Sequence, residues 1–293
     1  MKRVVMVMLL MVVANAFMFA APPPAIEVKF NQALHDLLPA DLQKSGVLKV
    51  ATSAGSPPYT MYAEDNKTIT GGDIDLALGI GQVLGLKVEF TAIAFPGIIP
   101  AILAGRFDMS ISSMGDTPAR EQQINFVNYS VEGNAVVVKE GNPKNIQTIE
   151  DLDGRSVAVL RGSVMQGLVE QRNQKNVKKI DIQVYPNQNE ANLAVRSGRA
   201  EATLSMAGTS NYYVKHNADT GLTVLLKTLY GAGYNAIGIS KSNPALLLCV
   251  EQAMQRLMAS GAYEQILTKW GLEGGMISVP WVNDGAKYAQ PNG

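Results

Sequence analysis

The chain has 293 residues, with 25 Lys and Arg against 25 Asp and Glu, 47% hydrophobic and 17% charged side chains. That length suits about two domains and that composition can bury a core, so a disordered chain is excluded, and zero net charge argues against nucleic acid as a partner. One cysteine and two histidines, His35 and His216, exclude an internal disulfide, zinc ribbons and thiol–disulfide motifs and leave little for a histidine-rich metal site.

Lys2 and Arg3 precede an apolar run from Val4 to Val13 and then Ala14-Asn15-Ala16. A charged start, a short apolar stretch and a small-x-small end predict a cleaved export signal over residues 1–20. The run is short of the roughly 20 residues that span a membrane, although an uncleaved anchor is the competing reading. A second cut is open after Ala20 or Ala21, before Pro22-Pro23-Pro24. Losing Lys2 and Arg3 takes the basic count from 25 to 23 against 25 acidic residues, a net charge of −2. No cysteine stands near the cut, so lipid attachment is not expected. Cys249, in Leu246-Leu247-Leu248-Cys249-Val250, is expected to pack in a helix.

Residues 21–44 form a Pro-rich leader with an amphipathic segment that ends at Gly46. Val47 to Thr52 is an apolar strand, and Gly55-Ser56-Pro57-Pro58-Tyr59 is a loop, because consecutive prolines cannot continue a ladder. Asp73 to Leu84 has helical spacing and stops at Gly85. Strand Lys87 to Ala92, helix Ile98 to Leu103 and strand Phe107 to Ile111 follow. The order then restarts: strand Ser156 to Leu160, a helix from Ser163 with Gln166 completing a capping-box pattern, strand Asp181 to Tyr185, helix Asn189 to Arg196, and strand Ala200 to Ser205. Helix Pro244 to Ser260 and the segment Ala262 to Trp270 close the chain. Alternating strands and helices predict an α/β fold with a parallel-type sheet covered on both faces.

Gly46-Val47-Leu48-Lys49-Val50-Ala51-Thr52, Pro57-Pro58-Tyr59 and Gly71-Gly72-Asp73-Ile74-Asp75-Leu76-Ala77 resemble the opening of the periplasmic amino-acid-binding proteins that feed ABC importers. The likeness runs on through Phe95-Pro96-Gly97-Ile98, Gly105-Arg106-Phe107-Asp108, Asp116-Thr117-Pro118-Ala119-Arg120-Glu121 and Asp151-Leu152-Asp153-Gly154-Arg155. It ends with Ser197-Gly198-Arg199-Ala200-Glu201 and Gly261-Ala262-Tyr263-Glu264-Gln265 through Gly271. Each motif is weak alone; the ordered set is specific and covers nearly everything after residue 44. The resemblance implies the two-lobe type II periplasmic-binding-protein fold, with two crossover strands near residues 135–138 and 235–239 and a central cleft. Lobe one would comprise 45–137 and 236–275, and lobe two 138–235, with 276–293 as a C-terminal tail. It further implies a monomeric periplasmic receptor that hands a small carboxylate-bearing solute to a membrane permease.

Arg120 is the leading site residue: in similar proteins the arginine of this segment clamps a ligand carboxylate, and a planar guanidinium is built for that pairing. A solvated helix-start arginine is the competing reading, but a cation there gains nothing from the helix dipole. Ser112, Ser113 and Met114 occupy the segment that bonds ligand in the family; loop serines that satisfy their own backbone are the alternative. Ser163 offers a hydroxyl and a helix N-terminus to an anion, or simply caps its helix. Arg161 is a second anion contact or a surface arginine. Phe95 stacks on ligand or packs in the lobe-one core, and Tyr59 is either core or rim. Asp73 and Asp75 open a helix and are expected to serve capping and the dipole.

Two departures from the family pattern bear on the ligand. Many relatives hold its ammonium with an Asp after the first strand, where Ser53 stands here, and with a second Asp, where ungapped counting gives Met206. An aromatic common in the first loop is replaced by Ser56. A buried ammonium without a carboxylate or several acceptors is costly. Either hydroxyls and carbonyls carry it, or the ligand has none. Met114, Met165 and Met206 soften the cleft or belong to the core. Binding without chemistry, and hence no enzyme, is the expectation, with no cofactor or metal. The alternative is a cyclohexadienyl-type dehydratase, which needs a cleft acid that these positions do not supply. A sensor or interaction module is the third reading.

Overall fold

The structure, a computed structural model, describes residues 26–216 and 219–288. The expected export signal and the Pro-rich stretch lie outside the described residues. Two short helices, α1 (Gln32–His35) and α2 (Ala40–Ser45), lead into β1 (Val47–Thr52). They are more than a leader, because Leu34, Leu38 and Leu42 are buried in the first core. Three short strands follow, β2 (Gly55–Ser56), β3 (Thr60–Tyr62) and β4 (Ile69–Thr70), which form a separate small sheet where a loop is expected from sequence.

Helix α3 (Gly72–Leu84) ends at Gly85, whose φ of 66° is the left-handed conformation that closes a helix. Its start is capped by backbone. Gly72 and Asp73 donate their N–H groups to the carbonyls of Pro58 and Tyr59, at 2.9 and 3.0 Å. Gly71, at φ 132°, permits that approach, because a Cβ there would meet the Tyr59 carbonyl oxygen at 2.1 Å. The Asp73 side chain is thereby spared for another task.

The order continues with β5 (Lys87–Ala92), α4 (Ile98–Leu103), β6 (Met109–Gly115), α5 (Pro118–Glu121) and the long β7 (Ile124–Lys139). The second unit contains β8 (Ser156–Leu160), α6 (Val164–Lys175), β9 (Asp181–Tyr185), α7 (Gln188–Ser197), β10 (Ala202–Met206) and α8 (Ala207–His216). The chain returns along β11 (Leu222–Ser240) and finishes in α9 (Pro244–Ala259) and α10 (Ala262–Lys269).

The main sheet has the order β5-β1-β6-β11-β7-β10-β8-β9. Each half carries parallel strands, β5-β1-β6 on one side and β10-β8-β9 on the other. The antiparallel pair β7 and β11 runs through both. Leu48, Val50, Leu76, Ile80, Val250 and Ile266 share the core of the first half. Val136, Val157, Val159, Val169 and Leu204 share that of the second, where α7 packs Ala191, Ala194 and Val195 on the opposite sheet face. Cys249 is buried in the first core. The β7–β11 ladder is regular at both ends and shifts register between Leu225 and Tyr230, between Tyr230 and Gly233, and between Asn235 and Ala236. Backbone bonding is therefore weakest where the strands pass between the halves.

Residues 276–288 strap back over the first half. Val282 bridges Val127, the Asn128 N–H donates to the Trp281 carbonyl at 2.8 Å, and Phe126 N–H donates to Asn283 Oδ1 at 2.8 Å. Gly285 N–H reaches Glu121 Oε1 at 2.9 Å, which ties the strap to α5. A chain ending at Gly275 is expected to lose about 2 kcal/mol, several bonds at a net ~0.5–1.5 kcal/mol each with partial compensation by water. In scanning calorimetry this lowers the melting midpoint by about 5 °C. An unchanged midpoint would make the strap a passive tail.

Candidate functional site

A cavity of about 650 Å³ lies between the two halves, over the irregular part of β7 and β11. The first half contributes Phe95, Ser113, Asp116 and Arg120 to its walls. The second contributes Ser163, Met165, Gln188, Met206 and Thr209, and the shared strands contribute Glu132, Asn134 and Tyr234. A smaller cavity of about 280 Å³ adjoins it; Ser56, Phe95, Leu160 and Gln188 face both.

Arg120 sits in α5, whose N-terminus is built by the Thr117 side chain over the Arg120 N–H and by Pro118 in the first turn. Its guanidinium donates from Nη1 to the Gly115 carbonyl at 2.5 Å and from Nη2 across the cavity to the Gly162 carbonyl at 2.8 Å. Its Cζ lies 5.7 Å from the centre of the Phe95 ring. Burial pulls its pKa down to about 10, against the opposing pull of Asp116, so it remains a cation at neutral pH. Two carbonyl bonds leave the rest of the five-donor fork for an anion.

Ser113 has φ 43°, and its N–H donates to Asp73 Oδ2 at 2.7 Å while its side chain lines the cavity. Asp73 also accepts from Tyr129 Oη at 2.7 Å and is wholly buried. Burial raises its pKa to about 7, and the bonds from Tyr129 and Ser113 hold it from rising further. Asp75 behaves differently and accepts from Lys269 Nζ and Trp270 Nε1, both at 2.7 Å. Ser163 caps α6: its Oγ accepts from the Gln166 N–H at 3.1 Å and donates to the Leu160 carbonyl at 2.7 Å. The Gln166 carboxamide reaches back to the Gly162 N–H, one residue further than in a standard capping box.

Met206 and Phe95 line the cavity, as does Met165. The other expected residues stand elsewhere. Ser53 faces the smaller cavity, and its hydroxyl and N–H bond Ser112 Oγ at 2.8 and 3.0 Å. Ser112, 1% exposed, lines neither cavity and ties β1 to β6. Met114 is core, packed with Ala51, Ile98, Ile102 and Phe126, because alternation along β6 turns it away from the cleft. Tyr59 is also core, with its hydroxyl on Glu132. Arg161 is exposed and off both cavities; only its N–H is fixed, on the Tyr185 carbonyl.

Sequence reasoning passed over two carboxylates on the cavity wall. Asp116 accepts from Asn128 Nδ2 at 2.9 Å, and its Oδ1 has no hydrogen-bond partner among the described residues; burial, with Glu121 alongside, raises its pKa to about 7. Glu132, on β7, accepts from the Tyr59 hydroxyl and the Gly208 N–H, and burial raises its pKa while both bonds oppose the rise. Two polar residues, Glu132 and Asn134, just ahead of the apolar run Ala135 to Val138 are the signal that marks it.

Two α/β lobes joined by two crossover strands, with a cavity between them, define a two-lobe periplasmic-binding-protein fold. The model of the bacterial extracellular solute-binding proteins, family 3, matches residues 48–273, and the chain belongs to that family. It is 27% identical to the ABC transporter arginine-binding protein 1 of Escherichia coli (strain K12), over 76% of this chain and 90% of that one. Among solved structures it is similar to an ancestral arginine-binding protein bound to arginine, with TM-score 0.71, 34% identity, and 77% and 98% of the two chains covered. It is also similar to an ancestral amino-acid-binding protein that is a precursor of cyclohexadienyl dehydratase, with TM-score 0.68, 32% identity, and 78% and 97% covered.

Proposed function

We propose that this chain is the periplasmic receptor of an ABC importer, exported by a cleaved signal, and that it holds an amino acid or amino-acid derivative by its carboxylate on Arg120. The carrying observation is the position of Arg120: a half-buried arginine on the cavity wall, backed by Phe95 and already bonded to the carbonyl of Gly162 in the other half. An anion in the cavity meets unused N–H donors of that fork and gains a charge-assisted, two-point contact. Ser113 and the start of α6 at Ser163 add polar wall; Met206 and Phe95 add apolar wall. Lobe one is assigned to 45–137 and 236–275 and lobe two to 138–235. Closure about the loosened middle of β7 and β11 traps the solute for delivery to the permease.

Binding without chemistry is favoured over dehydration. A dehydratase needs an acid that gives a proton to a leaving hydroxyl. Glu132 is a half-buried carboxyl in the cavity, but both of its partners donate to it, which favours the ionised acceptor over the proton donor. Native mass spectrometry of the purified protein, with a thermal-shift panel of amino acids and organic acids, tests the assignment. A carboxylate-bearing solute is expected to co-purify or to raise the melting point, by about 2.7 kcal/mol of added stability at 100 times Kd. A panel without a hit defeats it, and turnover of prephenate would favour the dehydratase.

A further inference from the structure

We infer that Glu132 is the receptor for the ligand's ammonium group, so that the cleft selects an amino acid over the same acid without its amine. This rests on the carboxylate being held by Arg120. Three observations carry it. First, Glu132 and Arg120 line one cavity without pairing with each other: none of the ion pairs among the described residues includes Glu132. The charge that acts on Arg120 is that of Asp116, its neighbour on the same wall. Arg120 is the one Lys or Arg on the cavity wall among the described residues, so Glu132 has no cation of its own there. A partly desolvated carboxylate without a counter-charge is costly, and a ligand cation removes that cost.

Second, Glu132 is held as an acceptor. Tyr59 Oη donates to one oxygen and the Gly208 N–H to the other, and the N-terminal end of α8 favours the negative form. An ionised carboxylate has about four acceptor sites, so each oxygen keeps capacity for a ligand N–H. Third, Thr209 follows Gly208 on α8, lines the same cavity and is 5% exposed, yet its Oγ1 has no partner among the described residues. The buried Oε1 of Gln188, on the same cavity wall, also lacks a donor. An ammonium brings three donors to acceptors of this kind. The Asp positions of the relatives are filled here by Ser53, which faces the adjoining cavity, and by Met206. Strand β7 thus supplies a carboxylate where neither of those two positions does.

The test is isothermal titration calorimetry on the full mature chain with two matched series, the proteinogenic L-amino acids and their des-amino analogues. Wild type is expected to prefer an amino acid to its des-amino partner by about 10- to 100-fold, the range of a hydrogen bond to a charged group. Glu132→Gln is expected to remove most of that preference and to leave the des-amino acid within about 3-fold. Thr209→Val is expected to act in the same direction more weakly, as for a neutral bond. Equal weakening of both series by Glu132→Gln, or an undiminished preference in it, overturns the inference and leaves the carboxylate site standing. Binding of des-amino acids alone does the same. If neither series binds wild type, the carboxylate reading falls as well.

Discussion

Arg120→Ala is expected to weaken binding of the cognate carboxylate solute by ~2–4 kcal/mol, about 30- to 1,000-fold, the usual loss when one partner of a desolvated charge pair is truncated. Most of the loss belongs in the dissociation rate, because the contact forms after the solute has entered the cleft. Arg120→Lys restores charge without the planar fork. It cannot hold the Gly115 and Gly162 carbonyls and a carboxylate together, so it is expected to recover only part of the affinity. The folded state is expected to tolerate the change, because Gly115 lines the cavity and Gly162 is exposed, so water can reach both carbonyls. Titration calorimetry of the three proteins, with circular dichroism to confirm folding, decides the matter. Alanine affinity within about 3-fold of wild type would remove Arg120 from the carboxylate site, since a charge-assisted bond is worth more than that.

Short strands bounded by turn residues were legible in the sequence: β1, β5, β8 and β9 have the bounds expected from it. Strand β6 was not. It starts at Met109 rather than Phe107 and continues to Gly115, because Ser112 and Ser113 are buried by bonds to Ser53 and Asp73 that hydropathy does not register. Helix α8 was missed for a related reason. Ala207-Gly208-Thr209-Ser210-Asn211 is a poor helix former, and packing against β7 and β11 overrides that weak propensity. Its N-terminus brings Gly208 to Glu132 and Thr209 to the cavity. The site divides along the same line. Arg120, Phe95, Ser113, Ser163 and Met206 reach the main cavity from motifs or ungapped counting. Glu132 and Asp116 depend on how a crossover strand and the turn before α5 are folded. The acid missing at Ser53 and Met206 has a counterpart on another strand of the cavity wall, at Glu132.

Asp73→Ala is expected to cost about 3 kcal/mol of stability, because it leaves two buried donors, the Ser113 N–H and the Tyr129 hydroxyl, without an acceptor. Asp73→Asn is expected to cost far less. Its amide oxygen can accept from Ser113, and its NH2 can donate to Tyr129, whose hydroxyl accepts as well as donates. The pair separates a need for an acceptor from a need for charge. The pH dependence separates them further. With its pKa raised to about 7 from an ordinary 3.8, Asp73 binds its proton more tightly folded than unfolded. Its contribution is complete below about pH 4 and is lost as pH rises through 7. Asp116, also raised to about 7, acts with the same sign. Wild type is therefore expected to melt several degrees higher at pH 5 than at pH 8, with a smaller difference in Asp73→Asn. Because Ser113 hangs from Asp73 at a positive φ and faces the cavity, the alanine variant is also expected to bind solute less tightly, whereas the asparagine variant keeps the loop in place. Equal melting points for the two variants, or a flat wild-type pH profile, would mean that Asp73 neither anchors the Ser113 turn nor titrates with folding.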